Sequence, residues 1–309
     1  MWGVSENASP VRRGRFLRFT AALLVLLGIA GYVVVQYVTG GGGAPRCVVR
    51  TSEDGGSSYE MTPEQADNAA TISAVGTTRG MPQRAVTIAL ATALQESALR
   101  NIDYGDRDSL GLFQQRPSQG WGTPQEIMDP VYSAGKFYEH LAEVPGYSRL
   151  PLTVAAQKVQ RSGFPQAYAK HEPDATLLAA ALTGGASATL TCSVRPGGGA
   201  GDPAKVRSEL VRAFGAEVLP GGAARGTAGG TASSVLAVPV ASARESGGGR
   251  ADRRGWELAH WAMARAEALR ITEVAYGDRV WSVERSVEGW RTRDAGSGDG
   301  GDVRIRIAH

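Results

Sequence analysis

The apolar positions of the chain change their rhythm several times, and each rhythm predicts a different element. From Phe19 to Val38 the sequence FTAALLVLLGIAGYVVVQYV carries no charge, which is the ~20 residues a helix needs to cross a bilayer. Past residue 60 the apolar residues become periodic. Thr62, Pro63 and Gln65 read as a capping-box start, and Ala66, Ala69, Ala70 and Ile72 follow at helical spacing until Gly80. Met81-Pro82 opens a second helix. In PQRAVTIALATALQES the residues Val86, Ala89, Ala93 and Glu96 step by three and four, so a glutamate falls on an apolar row close to the helix end. Residues 85–94 hold no charge at all, so this helix is expected to be buried nearly all round.

Towards the C-terminus, GWELAHWAMARAEALRI is an amphipathic helix with Trp256, Ala259, Met263, Ala266 and Leu269 inward. TEVAYGDRVWS then reads as strand, Gly-Asp turn and strand. DVRIRIA alternates, as a closing strand with Val303, Ile305 and Ile307 on one face. The stretch 221–250, rich in Gly, Ala and Ser, is expected to be a floppy insertion. Two glycine-rich stretches, TGGGGAPR and RPGGGAGDP, punctuate the chain. The resulting organisation is a tail at 1–18, a spanning helix at 19–38, a linker at 39–60, a mainly helical domain at 61–192, a linker at 193–205 and a small α+β domain at 206–309. The fold class is α+β.

Charge places the chain with respect to the membrane. Arg12, Arg13, Arg15 and Arg18 precede the apolar run and only Arg46 follows it closely, so the positive-inside rule puts the N-terminus in the cytoplasm and residues 39–309 outside. A cleaved secretory signal is the rival, but the apolar run exceeds the ~7–15 residues of a signal core and no A-x-A site follows. The two cysteines, Cys47 and Cys192, then lie in an oxidising compartment, where one disulfide clasping the ends of the first outer domain is expected. The formal net charge of +3 suits an anionic surface and is too small to argue for nucleic acid.

Glu96 admits two readings. As a structural residue it pairs with Arg100 or caps a loop. As a functional one, partial desolvation raises its pKa, so that it keeps a proton to give to a leaving oxygen. The loop that follows, NIDYGDRDSLGLFQQRPSQGWGT, favours the second. Glu96-Ser97, a polar loop and then Gly111-Leu112-Phe113-Gln114 resemble the Glu-Ser and Gly-Leu-Met-Gln motifs of the lysozyme-like transglycosylase family, with Phe113 in place of the methionine. The resemblance runs from about residue 61 to 173, through DPVYSAGKFYEHL, where Asp129 and Pro130 start a further helix.

That resemblance implies a membrane-anchored, mostly helical lysozyme-like domain that cleaves β-1,4 glycosidic bonds between N-acetylmuramic acid and N-acetylglucosamine in peptidoglycan glycan strands. Glu96 is then the general acid and base. Ser97, Gln114 and Gln115 are expected to bind substrate, and Trp121 and Tyr168 are candidates for stacking on sugar, or alternatively for packing. The family's late Tyr-Asn-x-Gly is replaced by the segment from Ala156 to Gly163, where either Gln157 or Gln160 takes the place of the asparagine. Asp103, Asp106 and Asp108 supply a second carboxylate or simply solvate a turn. Hydrolysis and intramolecular cleavage both remain open.

The C-terminal module resembles the domain that trails lysozyme-like proteins of high-GC Gram-positive bacteria and, more distantly, the zinc D-Ala-D-Ala carboxypeptidases. Those need two histidines and an aspartate as ligands, whereas the final strand here carries Arg304 and Arg306, and His260 has no partner set. The module is expected to be non-catalytic, without metal or cofactor. The rival functions are a glycan-binding module that has lost its chemistry and, less well matched, a transport-associated membrane protein.

Overall fold

The computed structural model describes residues 11–38, 44–51, 56–164, 166–195, 197–219, 234–240, 248–293 and 301–309. It divides into two units, residues 1–44 and 45–309. In the first, helix α1 (Val11–Val38) includes the whole apolar run. Its described side chains, from Arg18 to Val34, are all exposed. Among the described residues no helix is long and apolar enough to cross a membrane; the apolar run extends to Val38, and the side chains of 35–38 lie outside the described residues. So do most of the tail and residues 39–43 of the expected linker.

The second unit begins with strand β1 (Arg46–Arg50), which pairs antiparallel with β2 (Ser58–Met61) on one side and β3 (Leu190–Ser193) on the other. The linker expected at 39–60 is therefore strand at Arg46–Arg50 and from Ser58 onward. The alternation explains it: Cys47 and Val49 are buried, while Arg46 and Arg50 point outward. Cys47 stands opposite Cys192 in the register, and the two are joined by a disulfide.

Helix α2 (Pro63–Thr78) carries the capping box, with Gln65 N donating to Thr62 Oγ1 at 3.2 Å and Thr62 N to Gln65 Oε1 at 2.8 Å. Helix α3 (Gln83–Ser97) is buried on every side from Ala85 to Leu94. It is covered by α2, by α5 (Pro130–Ala142), by α6 (Leu152–Gln160) and most extensively by α7 (Glu172–Leu182). A single helical turn, α4 (Pro124–Ile127), precedes α5, and Asp129 caps α5 by accepting from Val131 N at 2.9 Å.

The remainder is helix α8 (Pro203–Phe214), a five-stranded antiparallel sheet and helices α9 (Gly248–Ala264) and α10 (Ala266–Leu269). The sheet comprises β4 (Val235–Pro239), β5 (Ile271–Tyr276), β6 (Arg279–Ser282), β7 (Arg291–Thr292) and β8 (Asp302–Ile307), in the order β4-β8-β5-β6-β7. Val303, Ile305 and Ile307 are buried, so the alternation read from the sequence holds. Two expectations need correction. The strand β8 is flanked on both sides, and the stretch 221–250 is no continuous insertion. Leu236 and Val238 alternate inward in β4, and α9 begins at Gly248, while 220–233 and 241–247 lie outside the described residues.

The linker at 193–205 does not separate two bodies, because residues 45–309 form one compact unit. Asp202 caps α8 at once, with Ala204 N donating to its Oδ1 at 2.8 Å. From the C-terminal sheet and its connection, Trp281 Nε1 donates to Cys192 O at 3.0 Å and Trp290 Nε1 to Leu190 O at 2.8 Å. Arg265 bridges Asp67 of α2 and Glu209 of α8 at 2.8 and 2.9 Å, and Glu257 accepts from Thr77. These groups are largely buried, so an unmade partner at any of them leaves a desolvated polar atom.

Purified residues 45–309 should accordingly unfold in one transition, alike by helical circular dichroism and by tryptophan fluorescence, most of whose reporters lie in the C-terminal part. Reduction should lower the melting temperature of that single transition, since a closed loop spanning 145 residues contributes roughly 5 kcal/mol on chain-entropy grounds. Two well-separated transitions would show that the modules fold apart.

Candidate active site

Helix α3 stops abruptly. Ala98 and Leu99 both adopt left-handed backbone conformations, at φ 52° and 59°, without a glycine to ease them. Their amides return to Leu94 O and Ala93 O, each at 3.1 Å. From α2, Gln65 Nε2 donates to Ala98 O and Asn68 Nδ2 to Leu99 O, both at 2.8 Å. The strained end is thus fixed from outside as well as from within.

The Gly111-Leu112-Phe113-Gln114 segment is a tight turn closed by reciprocal bonds between Leu110 and Gln115, at 2.9 and 3.0 Å. Gly111 takes φ 75°, and a Cβ there would lie 2.8 Å from Ile127 O, so this position admits only glycine without rearrangement. Leu112 and Phe113 are buried, and Phe113 stacks on Phe137 at 4.7 Å. A bulky residue at the motif's third position is therefore a packing residue. Two side chains clamp the turn: Ser97 Oγ donates to Leu112 O at 2.8 Å, and Gln160 Nε2 donates to Phe113 O at 2.7 Å.

A cleft of about 880 Å³ opens against this turn. Its lining comes from Glu96 at the end of α3, from the loop between α3 and α4, from the end of α5 and from the end of α6 with the residues after it. Gln114, Gln115, Trp121 and Gln160 line it together with Glu96. Gln115 is almost wholly buried and donates through Nε2 to Ser133 O at 3.0 Å, so it fixes the loop to α5 more than it presents to solvent. Trp121 packs on the His140 ring at 4.3 Å.

Three residues expected to bind substrate do not line the cleft. Ser97 is buried in its bonds to Leu112 O and Ala93 O. Gln157 donates to Ser162 O at 2.7 Å and shapes the bend after α6. Tyr168 is fully buried, which removes it as a sugar platform, and its hydroxyl donates to Glu96 Oε1 at 2.7 Å. Helical periodicity locates a side chain on a row but not the partner its polar atom finds outside that row, so these three roles were not readable from spacing.

Glu96 is partly buried, and desolvation raises its pKa above the ordinary carboxyl value. The Tyr168 hydroxyl and, less strongly, Gln160 oppose this by bonding to the charged form. Burial and the neighbouring carboxylate push the Tyr168 phenol up in turn, so it stays a proton donor. Arg100 makes no ion pair with Glu96 among the described residues. Of the loop acids, Asp106 lines the cleft on an exposed side chain. Asp108 accepts from Arg116 Nε and Ser118 N, each at 2.8 Å, which holds it well below the usual carboxylate range. Asp103 is outside the lining.

No group of three His, Cys, Asp or Glu side chains suited to a metal ion occurs among the described residues. His260 is buried, with Nδ1 2.8 Å from Ala181 O and its ring packed against Trp256 and Trp290; burial lowers its pKa to about 4. It is a packing histidine. The residues that the motifs did not bring forward are those after α6, where the comparison with the Tyr-Asn-x-Gly signature directed attention to the glutamines alone.

Comparison with known proteins bears on the other part of the chain. Residues 200–302 match the family described as VldE, C-terminal domain, which covers α8 and most of the five-stranded sheet and leaves the cleft outside it. No curated protein matches the chain.

The raised pKa carries a sign that stability measurements can read. A carboxyl whose folded pKa lies above its unfolded value contributes fully below the unfolded value, and that contribution is lost as pH rises through the folded one. Glu96→Gln does not titrate, so its melting temperature should gain on the wild type as pH rises across that interval. A constant or shrinking difference would mean that the carboxylate is stabilised where it stands.

Proposed function

We propose that the chain cleaves β-1,4 glycosidic bonds of peptidoglycan glycan strands through Glu96, in a lysozyme-like helical domain. The observation that carries this reading is a single one: a partly buried carboxyl in the wall of an open cleft, held at Oε1 by the Tyr168 hydroxyl at 2.7 Å, a burial that raises its pKa. Such an acid holds its proton to higher pH than an ordinary carboxyl and delivers it to the leaving glycosidic oxygen as the C–O bond breaks. The carboxylate left behind then takes a proton from the incoming nucleophile, which restores the acid.

The nucleophile is the substrate's own hydroxyl in this reading. A water-activating glycosidase positions a second carboxylate across the bond, whereas Asp108 is committed to Arg116 and Ser118, and Asp106 and Glu143 reach the cleft on exposed side chains. Attack by a muramic hydroxyl closes an anhydro ring, and its proton returns to Glu96. The partners are glycan strands, and the reaction uses no cofactor.

Glu96→Gln keeps the shape and removes the proton, so turnover on purified peptidoglycan should fall at least ~100-fold, with glycan affinity retained. Mass analysis of wild-type products should find anhydro ends. Tyr168→Phe removes a bond that favours the charged carboxyl, so the alkaline limb of its pH–rate profile should move to higher pH. Wild-type turnover by the Gln variant overturns the assignment, and glycan binding without release of soluble products points to a binding module.

The proposal includes a tether. The apolar side chains of α1 described from Phe19 to Val34 are exposed, and a fully apolar helix surface is stable where lipid covers it. With four arginines before it, the helix sets the N-terminus in the cytoplasm and residues 39–309 outside the cell membrane, facing the wall. Protease added to intact spheroplasts should then remove nearly everything beyond residue 39; a protected C-terminus rules this topology out.

A further inference from the structure

The segment that replaces the family's Tyr-Asn-x-Gly signature does more than supply Gln160. Helix α6 ends with Arg161 in a left-handed conformation, φ 51°, its amide donating to Gln157 O at 2.8 Å. Gln157 Nε2 donates to Ser162 O at 2.7 Å and Phe164 N to Ser162 Oγ at 3.1 Å. A non-glycine residue persists in that conformation only when its surroundings over-determine it, and these bonds do so. The bend also lies against the Glu96 site, since Gln160 lines the cleft with Glu96 and clamps Phe113 O at 2.7 Å, while Tyr168 beyond the bend donates to Glu96 Oε1 at 2.7 Å.

Within this fixed bend, three side chains on the cleft lining are left without partners of their own kind. Phe164 is 78% exposed, far more than a phenyl ring gains from by itself. Lys158 and Arg161 are exposed and make no ion pair or side-chain hydrogen bond among the described residues. The other arginines of the lining are answered, Arg116 by Asp108 at 2.8 Å and Arg107 by Asp106 at 4.0 Å, and His140 lies 3.9 Å from Glu143. The uncompensated positive charge of the cleft is therefore gathered on one rim, beside an exposed aromatic face.

We infer that Lys158, Arg161 and Phe164 form a substrate-reading rim that takes a carboxylate borne by the glycan while the phenyl ring meets a sugar face. The inference rests on the proposed glycan-cleaving reading. Arginine matches a carboxylate through its planar fork, and lysine adds a point charge next to it. Sugar rings lay their C–H faces on aromatic surfaces, a contact insensitive to charge. In peptidoglycan the carboxylate has two sources, the lactyl group of the muramic sugar and the peptide that extends from it.

The experiment uses the full chain and its Lys158→Gln/Arg161→Gln double variant, both exposed positions whose replacement leaves the bend's bonds intact. Dissociation constants are measured for glycan strands bearing peptides, for strands stripped to the lactyl carboxylate, and for a neutral N-acetylglucosamine oligomer. Loss of two exposed charge pairs should weaken carboxylate-bearing ligands about three- to tenfold and leave the neutral oligomer unchanged. Loss on peptide-bearing strands alone assigns the carboxylate to the peptide, loss on stripped strands alone assigns it to the lactyl group, whose carboxyl is held in an amide wherever a peptide is attached, and loss on both shows that the rim takes a carboxylate from either source. Phe164→Ala should weaken all three ligands alike. Equal loss of neutral and anionic ligands in the double variant, or no loss, overturns the rim while the cleavage reading stands. A wild-type chain that binds none of the three overturns both.

Discussion

Helix α3 is apolar on all its faces from Ala85 to Leu94, and that single constraint organises the part of the molecule around the cleft. A helix with no polar stripe has to be enclosed, so α2, α5, α6 and α7 are arranged around it. It approaches solvent only at its two ends, and Glu96 stands at the C-terminal one. The carboxyl inherits desolvation from the packing that encloses the helix, without a special pocket being built for it. The helix must then end within a residue or two. Strain at Ala98 and Leu99 is the cost of that abrupt stop, and the bonds from Gln65 and Asn68 offset it.

The second organising contact is at β3. Its cysteine closes the sheet on β1, and its backbone carbonyls at Leu190 and Cys192 receive the indoles of Trp290 and Trp281. One short strand therefore serves as a seam between the helical part and the C-terminal sheet. The buried ion pairs of Arg265 reinforce the seam where the junction of α9 and α10 meets α2 and α8. Such pairs specify an arrangement more than they stabilise it, because the desolvation of each charge offsets much of the attraction. The C-terminal part is thus built into the same body as the cleft.

What the sequence made legible follows physical range. The capping box, the buried helix, the glutamate at its end and the alternation of β8 are local patterns, and each appears where its period put it. The pairing of Cys47 with Cys192 was accessible because only two cysteines exist. The boundary at 193–205 misled for the opposite reason. Glycine and proline report that backbone leaves an element, and they say nothing about whether the elements on either side meet again. Strand β4 was hidden because five residues with small neighbours give almost no periodic signal. That Glu96, Gln114, Gln115 and Trp121 share the wall of one cleft was readable from the motifs, whereas Gln160 rather than Gln157 as the lining residue was not. The bonding of Ser97, Gln157 and Tyr168 was not readable either, since each finds its hydrogen-bond partner outside its own element.

The balance at Glu96 shows why a buried tyrosine belongs beside it. Desolvation alone favours a neutral carboxyl free to turn either oxygen toward the cleft, and in the proposed reaction an acid that rotates is a poor proton donor. A hydroxyl donor restricts that rotation by occupying Oε1, leaving the other oxygen to carry the proton. It lowers the pKa somewhat in doing so, yet burial remains the larger effect. A cation in the same place would orient the carboxyl equally well and would also favour ionisation by full charge attraction, cancelling what burial achieves. Tyr168 is neutral, and the adjoining carboxylate makes its own proton harder to remove. It can therefore hold the carboxyl in position without the full charge attraction by which a lysine or arginine would draw off its proton.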